Sequence, residues 1–351
     1  MLLERTQAIK REELADYISL VDAKATPFIT MAPKEKDLGN TFFKWSAASY
    51  NAPLGTASSV PDGTNVTTND GTHSVTNRSE LVNYGQTFRR STGVGFLAQG
   101  ISDVAGVGKG NEIQWQVAKR MVEIKRDMEA AFLSTDQNMR ADNGSVGYTT
   151  KGLSEFLEAD GGPDATLGNA VPSGFRTPSA SINSTATASL TDTNIQAVLT
   201  SIYGVTGTVQ TYDLLCGTTL KRAFTNLTQA GSTTTGATNV YTQQSVRTFN
   251  QELGDTVYRN SIGIFEGDFG TLNLVPDNFI GTTTTSSGAN LVVQPTKGYV
   301  LDWDLVAVRY GMMPVVKDLP DSGGGPLKVI NAFAGLVVKN PSGLGKFVAT
   351  S

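Results

Sequence analysis

Between Gly110 and Thr135 the chain carries one uninterrupted amphipathic run, NEIQWQVAKRMVEIKRDMEAAFLST, which limits the possible folds more than any other segment. Ile113, Val117, Met121, Ile124, Met128 and Ala131 recur at 4-4-3-4-3 spacing and make one apolar stripe of an α-helix. Lys119, Arg120, Glu123, Lys125, Arg126, Asp127 and Glu129 are expected to cover the other faces. A helix over about 111–135 is roughly 36 Å long, so the fold must supply a body of that length.

Residues 1–24 read as a helix or an extended arm with helical parts, on the stripe Leu14, Tyr17, Ile18 and Val21. Pro27 and Pro33 predict an extended, non-helical continuation. A stripe this near the chain end is expected to pack on something beyond its own local structure. Residues 40–50 predict a strand with Phe43, Trp45 and Ala47 on one face, and residues 81–92 a second with Val82, Tyr84 and Phe88 on one face. The polar, turn-rich sequence between them is too long for a structureless loop, which rarely exceeds about 15 residues. It predicts a two-stranded flap, which is marginal alone and needs a surface such as another subunit.

Residues 159–192, rich in Gly, Pro, Ser, Thr and Ala, predict a boundary. Thr193 with Gln196 predicts a capping box opening a helix that buries Ile195, Val198, Leu199 and Ile202. TYDLLCG predicts a buried strand, and TTLKRAFTNL a helix burying Leu220, Phe224 and Leu227. The tracts GSTTTGATN and GTTTTSSGAN predict loops, and further strands are expected within 257–277, 297–316 and 325–340. With 43 Thr and 37 Gly the composition leans towards β-structure and loops.

The net charge of −4 argues against a protein that coats nucleic acid by neutralising phosphates. No apolar run is long enough for a membrane helix, and MLLERTQAIKREEL has no signal-peptide core, so a cytosol-like compartment or release by lysis is expected. Cys216 is the only cysteine and His73 the only histidine, which excludes an intrachain disulfide and a His-based metal cluster from one chain. His73 reads as a loop residue at the flap tip and Cys216 as a core residue. GVGFLA, Gly93 to Ala98, matches a dinucleotide fingerprint, but Gly100 and Gly106 interrupt the helix it requires, so a hinge is the better reading. GVGKG at Lys109 lacks Walker spacing because Asp103 replaces the first Gly, and Ser322 to Gly325 reads as a hairpin turn. Asp302 and Asp304, expected on one face of a strand, are a weak carboxylate pair. No catalytic, cofactor-binding or metal residue is assigned, and the chain is not read as an enzyme.

Several segments are similar to those of tailed-phage major capsid proteins with the Hong Kong 97 capsid fold: ATPFITMAPK with FFKWSAASY, EIQWQVAKRMVEIKRDMEAAFL, EGDFGTLNLVPD, YVLDWDLVAVRYG and AGLVVKNPSGLGKF. The resemblance implies an α+β fold. Its parts would be an N-terminal arm (1–38), an extended loop (39–93), a peripheral domain (94–190 and 306–351) built on the long helix, and an axial domain (191–305). It implies self-assembly as hexamers and pentamers into an icosahedral head around double-stranded DNA held non-specifically. Expected partners are a separate scaffolding protein, a portal and a possible decoration protein, with assembly in the host cytoplasm and no membrane. Some members weld subunits through a lysine on the extended loop. Residues 45–108 contain none and Lys44 sits at the flap base, so no weld is expected. The alternatives are an encapsulin-like compartment and, in a different class, a secreted β-rich enzyme or adhesin.

Overall fold

The structure, a computed structural model, describes residues 22–35, 37–54, 59–63, 65, 78–96, 112–160, 170–227, 249–252, 255–258, 261–281, 283–284, 291–321 and 323–348. In chain order its elements are α1 (Pro27–Met31), β1 (Lys34–Glu35), β2 (Phe42–Ala48), β3 (Arg78–Tyr84), β4 (Gln86–Gly93), α2 (Glu112–Phe132) and α3 (Leu153–Phe156). There follow β5 (Ile182–Asn183), α4 (Asp192–Thr206), β6 (Thr211–Cys216), α5 (Thr218–Leu227), β7 (Phe249–Glu252), β8 (Asp255–Tyr258), β9 (Ile264–Gly267) and β10 (Gly270–Pro276). The last are β11 (Thr283–Thr284), β12 (Leu291–Val292), β13 (Lys297–Leu301), β14 (Val306–Leu319), β15 (Leu327–Val338) and β16 (Gly345–Val348).

The long helix α2 has no Gly or Pro in its interior and ends at Phe132, short of residue 135. It lies on a four-stranded sheet of order β1-β14-β15-β4. Burial deepens towards its C-terminal end, where Ile124, Met128, Ala131 and Phe132 join the main core. Arg90 on β4 ties sheet to helix through a two-pronged ion pair with Asp127, both bonds 2.6 Å. That pairing raises the Arg90 guanidinium above its ordinary range.

A second sheet, order β5-β16-β13-β6-β10-β9, carries a second core. In it α4 and α5 bury Ile195, Val198, Leu199, Ile202, Leu220 and Phe224, while Leu227 is only partly buried. The predicted capping box is displaced: the N-cap is Thr191, which accepts the Asn194 amide, and Gly207 ends the helix at φ 68°. Gln196 instead accepts the Asp268 amide at 3.3 Å, joining α4 to the β9–β10 turn.

Three further expectations are corrected. Residues 27–31 are helical, not extended, because proline suits the first helical position, where its missing N–H costs nothing. The strand expected over 81–92 is two strands in different sheets, broken at Gly85. The Phe333 ring fills the space beside Gly85, where a Cβ would lie 2.3 Å from it. The stretch where a boundary is expected carries packing of its own where described: Val171, Phe175 and Leu190 are buried, and β5 pairs with β16. The second Thr-rich tract is not wholly a loop, since β11 pairs with β12.

Candidate assembly surfaces

The N-terminal root is held by its own chain. Phe28 is fully buried between the rings of Phe132 and Trp303, at 6.1 and 5.8 Å. The first amides of a helix have no internal acceptor. Here the amides of Phe28 and Ile29 donate to the two oxygens of Glu129 at 2.7 and 2.8 Å. Glu129, expected on the outer face of α2, is therefore fully buried as the cap of α1.

Beside Glu129 lies a second buried carboxyl, Asp277. Its Oδ1 accepts the Phe279 amide at 2.7 Å, while its buried Oδ2 finds no donor among the described residues. Burial, and then the Asp277 charge, push the Glu129 carboxyl up to about 9. Burial raises Asp277 as well. Burial thus favours the protonated form of a carboxyl in this pair, and a proton held there would supply the donor that Oδ2 lacks.

Further along, β1 adds to β14 in parallel. Glu35 there bridges Arg309 and Lys339 at 3.0 and 2.9 Å. Burial alone would raise its carboxyl, but the Lys339 and Arg309 hydrogen bonds outweigh this and hold it below its ordinary value. Residues 26–35 are thus held by contacts within their own chain. The stripe Leu14, Tyr17, Ile18 and Val21 lies outside the described residues.

The ribbon behaves differently. β2 and β3 pair antiparallel from Phe42↔Tyr84 to Ala48↔Arg78. At the base, Phe43 and Ala47 are buried, Trp45 is half-buried, and the Trp45 indole donates to the Val338 carbonyl at 3.0 Å. On β3 the buried residues are Leu81 and Asn83, not Val82 and Tyr84. Asn83 is buried because its amide is satisfied: Nδ2 donates to Thr150 Oγ1 and the Leu336 carbonyl, and Oδ1 accepts the Lys151 amide. Beyond Ala48 the described residues 49–54, 59–63 and 65 are exposed and irregular, including Tyr50, Leu54 and Val60.

Two more regions present apolar side chains to solvent. The outer part of the β14–β15 hairpin exposes Met313, Val315, Val316, Leu319 and Leu327. Pro314 lies there within the register shift between Met312 and Val315, where the strand has no β1 neighbour. Beside the second sheet, Val209 in the α4–β6 connection and Ile264 on β9 are exposed, at 62% and 63%. Apolar surface collected on projecting elements marks contact sites.

The residues weighed for chemistry are dispersed. Cys216 is buried on β6, its thiol pushed up to about 12 by burial. Asp302 and Asp304 lie in a turn rather than on a strand: Asp302 accepts the Asp304 amide and the Gln210 side chain. Gly93 ends β4, which among the described residues pairs only with β15 and antiparallel, whereas the fingerprint needs a parallel strand; Leu97 and Ala98 lie outside the described residues. Asp321 accepts the amides of Gly323 and Gly325 within the hairpin turn. His73, Asp103, Lys109 and Ser322 lie outside the described residues. Among the described residues no three His, Cys, Asp or Glu side chains gather to hold a metal, and no helix is long and apolar enough to cross a membrane.

A long helix on a mostly antiparallel sheet, a projecting ribbon and a second sheet with its own core define an α+β subunit with the Hong Kong 97-like capsid fold. The structure is similar over its whole length to the capsid of Cyanophage P-SCSP1u (TM-score 0.56, 12% identity, 100% of this chain and 97% of that one). It is likewise similar to the capsid of a native GTA particle (TM-score 0.58, 10% identity, 99% and 97%) and to Gordonia phage Cozz (TM-score 0.55, 10% identity, 98% and 92%). The family model described as SU10 major capsid protein matches residues 3–351, and the chain belongs to that family. In sequence it is 29% identical over 125 residues to the major capsid protein of Escherichia phage Phieco32, a match spanning 36% of this chain and 33% of that protein.

Proposed function

We propose that the chain is a major capsid protein that self-assembles as hexamers and pentamers into the icosahedral head of a tailed phage. The observation that carries this is the family match from residue 3 to 351. Exposed apolar residues on the ribbon and the outer hairpin support it, since a closed shell gives each of them a neighbour. The same fold serves an encapsulin-like compartment, and the family match favours the phage head. A peripheral body (94–190 and 306–351) and an axial one (191–305) are the proposed division, and two apolar clusters straddle it: Leu215, Tyr299 and Leu301 join the first cluster and Phe347 the second. A separate scaffolding protein, a portal, a decoration protein and loosely held DNA are the partners of this role, and the host cytoplasm its place of assembly. Electron microscopy of purified material tests the reading. Closed shells are expected, and isolated particles of about 37.2 kDa overturn it.

The shell is held without covalent welds in this reading. Lys44, at the ribbon base, pairs with Glu80 at 2.8 Å, and Cys216 is buried. Particles boiled in detergent with reductant should run as one band at the monomer mass, and a ladder of higher bands would show linkage.

A further inference from the structure

The connection between α2 and α3 carries a turn that the shell reading leaves unused. Arg140 and Thr149 exchange backbone hydrogen bonds at 3.1 Å and close a loop between them. Tyr148 stacks on Tyr84 of β3 at 5.5 Å and anchors this loop to the ribbon base. Residues 141–147 are exposed. Within the turn lies Asn143–Gly144, the single Asn-Gly pair of the chain.

Three hydrogen bonds single out this pair. The Gly144 amide donates to Asp142 Oδ1 at 2.7 Å. The amides of Ser145 and Val146 donate to Asn143 Oδ1 at 3.1 and 2.8 Å. Gly144 has φ 84°, a conformation that favours glycine, and no atom lies within 4 Å of where a Cβ would stand. A backbone nitrogen thus has a carboxylate within proton-transfer reach, and the side-chain carbonyl next to it has two donors on its oxygen. These are the parts of an acyl transfer: nucleophile, base and oxyanion hole.

We propose that Asn143–Gly144 is a self-modification site, at which the Gly144 nitrogen attacks the Asn143 side-chain amide and water completes its conversion to aspartate and isoaspartate. The Gly144 amide passes its proton to Asp142 as its nitrogen bonds to Asn143 Cγ. The carbonyl electron pair moves onto Oδ1, where the Ser145 and Val146 amides stabilise the charge. Collapse breaks the Cγ–Nδ2 bond, and Nδ2 leaves as ammonia with the proton that Asp142 returns. Water then opens the five-membered imide. Opening at Cγ gives aspartate, and opening at the backbone carbonyl gives isoaspartate, with the main chain rerouted through Cβ. The balance is a water consumed and an ammonia released, so no oxidant, reductant or cofactor enters. Either product adds a negative charge beside Asp142. The reaction is within one subunit and stands whether or not the shell reading does.

Ageing of the full-length protein at neutral pH, followed by peptide mass spectrometry with isoaspartate detection, tests it. The peptide spanning position 143 should gain the mass difference between O and NH, localised to that position by its fragments. The gain should be faster in the folded protein than in the same chain held in urea. Slower conversion in the folded protein overturns the proposal, because the bonds to Asn143 would then lock the turn rather than activate it. Asp142→Asn keeps an acceptor for the Gly144 amide but removes the base. It should slow the folded reaction about a hundredfold and leave the rate in urea unchanged. An unchanged or faster folded rate in that variant also overturns the proposal, since Asp142 would then only hold the loop.

Discussion

The N-terminal root and the ribbon look alike in the sequence, as short apolar patterns among turn residues, yet they end in opposite situations. The root inserts Phe28 wholly into its own core and has both leading amides capped by Glu129. The ribbon docks only its base, through Phe43, Trp45 and Ala47, and beyond Ala48 its described residues are exposed. The difference teaches where an appendage can fold without a partner. It does so where every buried polar group meets a counterpart on the same chain, and a two-stranded ribbon can offer this on only one face.

The largest expected effect breaks the root. Phe28→Ala should cost about 3–5 kcal/mol of subunit stability in denaturant unfolding, because it empties a site between two rings. Tyr50→Ala on the ribbon should change the same quantity by less than about 0.5 kcal/mol. Equal losses would mean that the root is no better anchored than the ribbon.

Next comes the carboxyl pair. The folded pair keeps a proton that the unfolded chain loses near the ordinary value of 4.5, so stability should fall as pH rises from about 4.5 to about 9. Asp277→Asn removes the like charge and should flatten that decline without abolishing it, since burial is the larger cause. Thermal unfolding from pH 5 to 9 checks the slope, and an unchanged slope would exclude a proton held by the pair.

Two smaller effects sharpen the ribbon side. Trp45→Phe loses the bond to the Val338 carbonyl and should cost about 1 kcal/mol. The Lys44–Glu80 pair is solvent-exposed, so a double-mutant cycle should give a coupling below about 1 kcal/mol, weakening with salt. A larger coupling would show that the outer ribbon is held more firmly than its exposure allows.

Much of this was legible in advance. The stripe from Ile113 to Ala131 fixes α2, because helical periodicity over so many residues has no other solution. The alternation around Phe43, Trp45 and Ala47 fixes β2 and its inner face. Asn83 and Glu129 were not legible. A polar residue reads as outward-facing unless its partners are known, and theirs come from Thr150, Lys151 and Leu336, or from Phe28 and Ile29, far along the chain.

By itself, then, the sequence determined the elements with long periodicity and the absence of a lysine from residues 45–108. These rest on neighbours in the chain, whose geometry is set by backbone period and side-chain chemistry alone. Only the tertiary structure decided that the strand expected over 81–92 breaks at Gly85 to serve two sheets, and that two acids are buried side by side under the N-terminal root. Those outcomes depend on the Phe333 ring and on amides about a hundred residues from Glu129, and a buried polar group is tolerated only when such distant partners arrive.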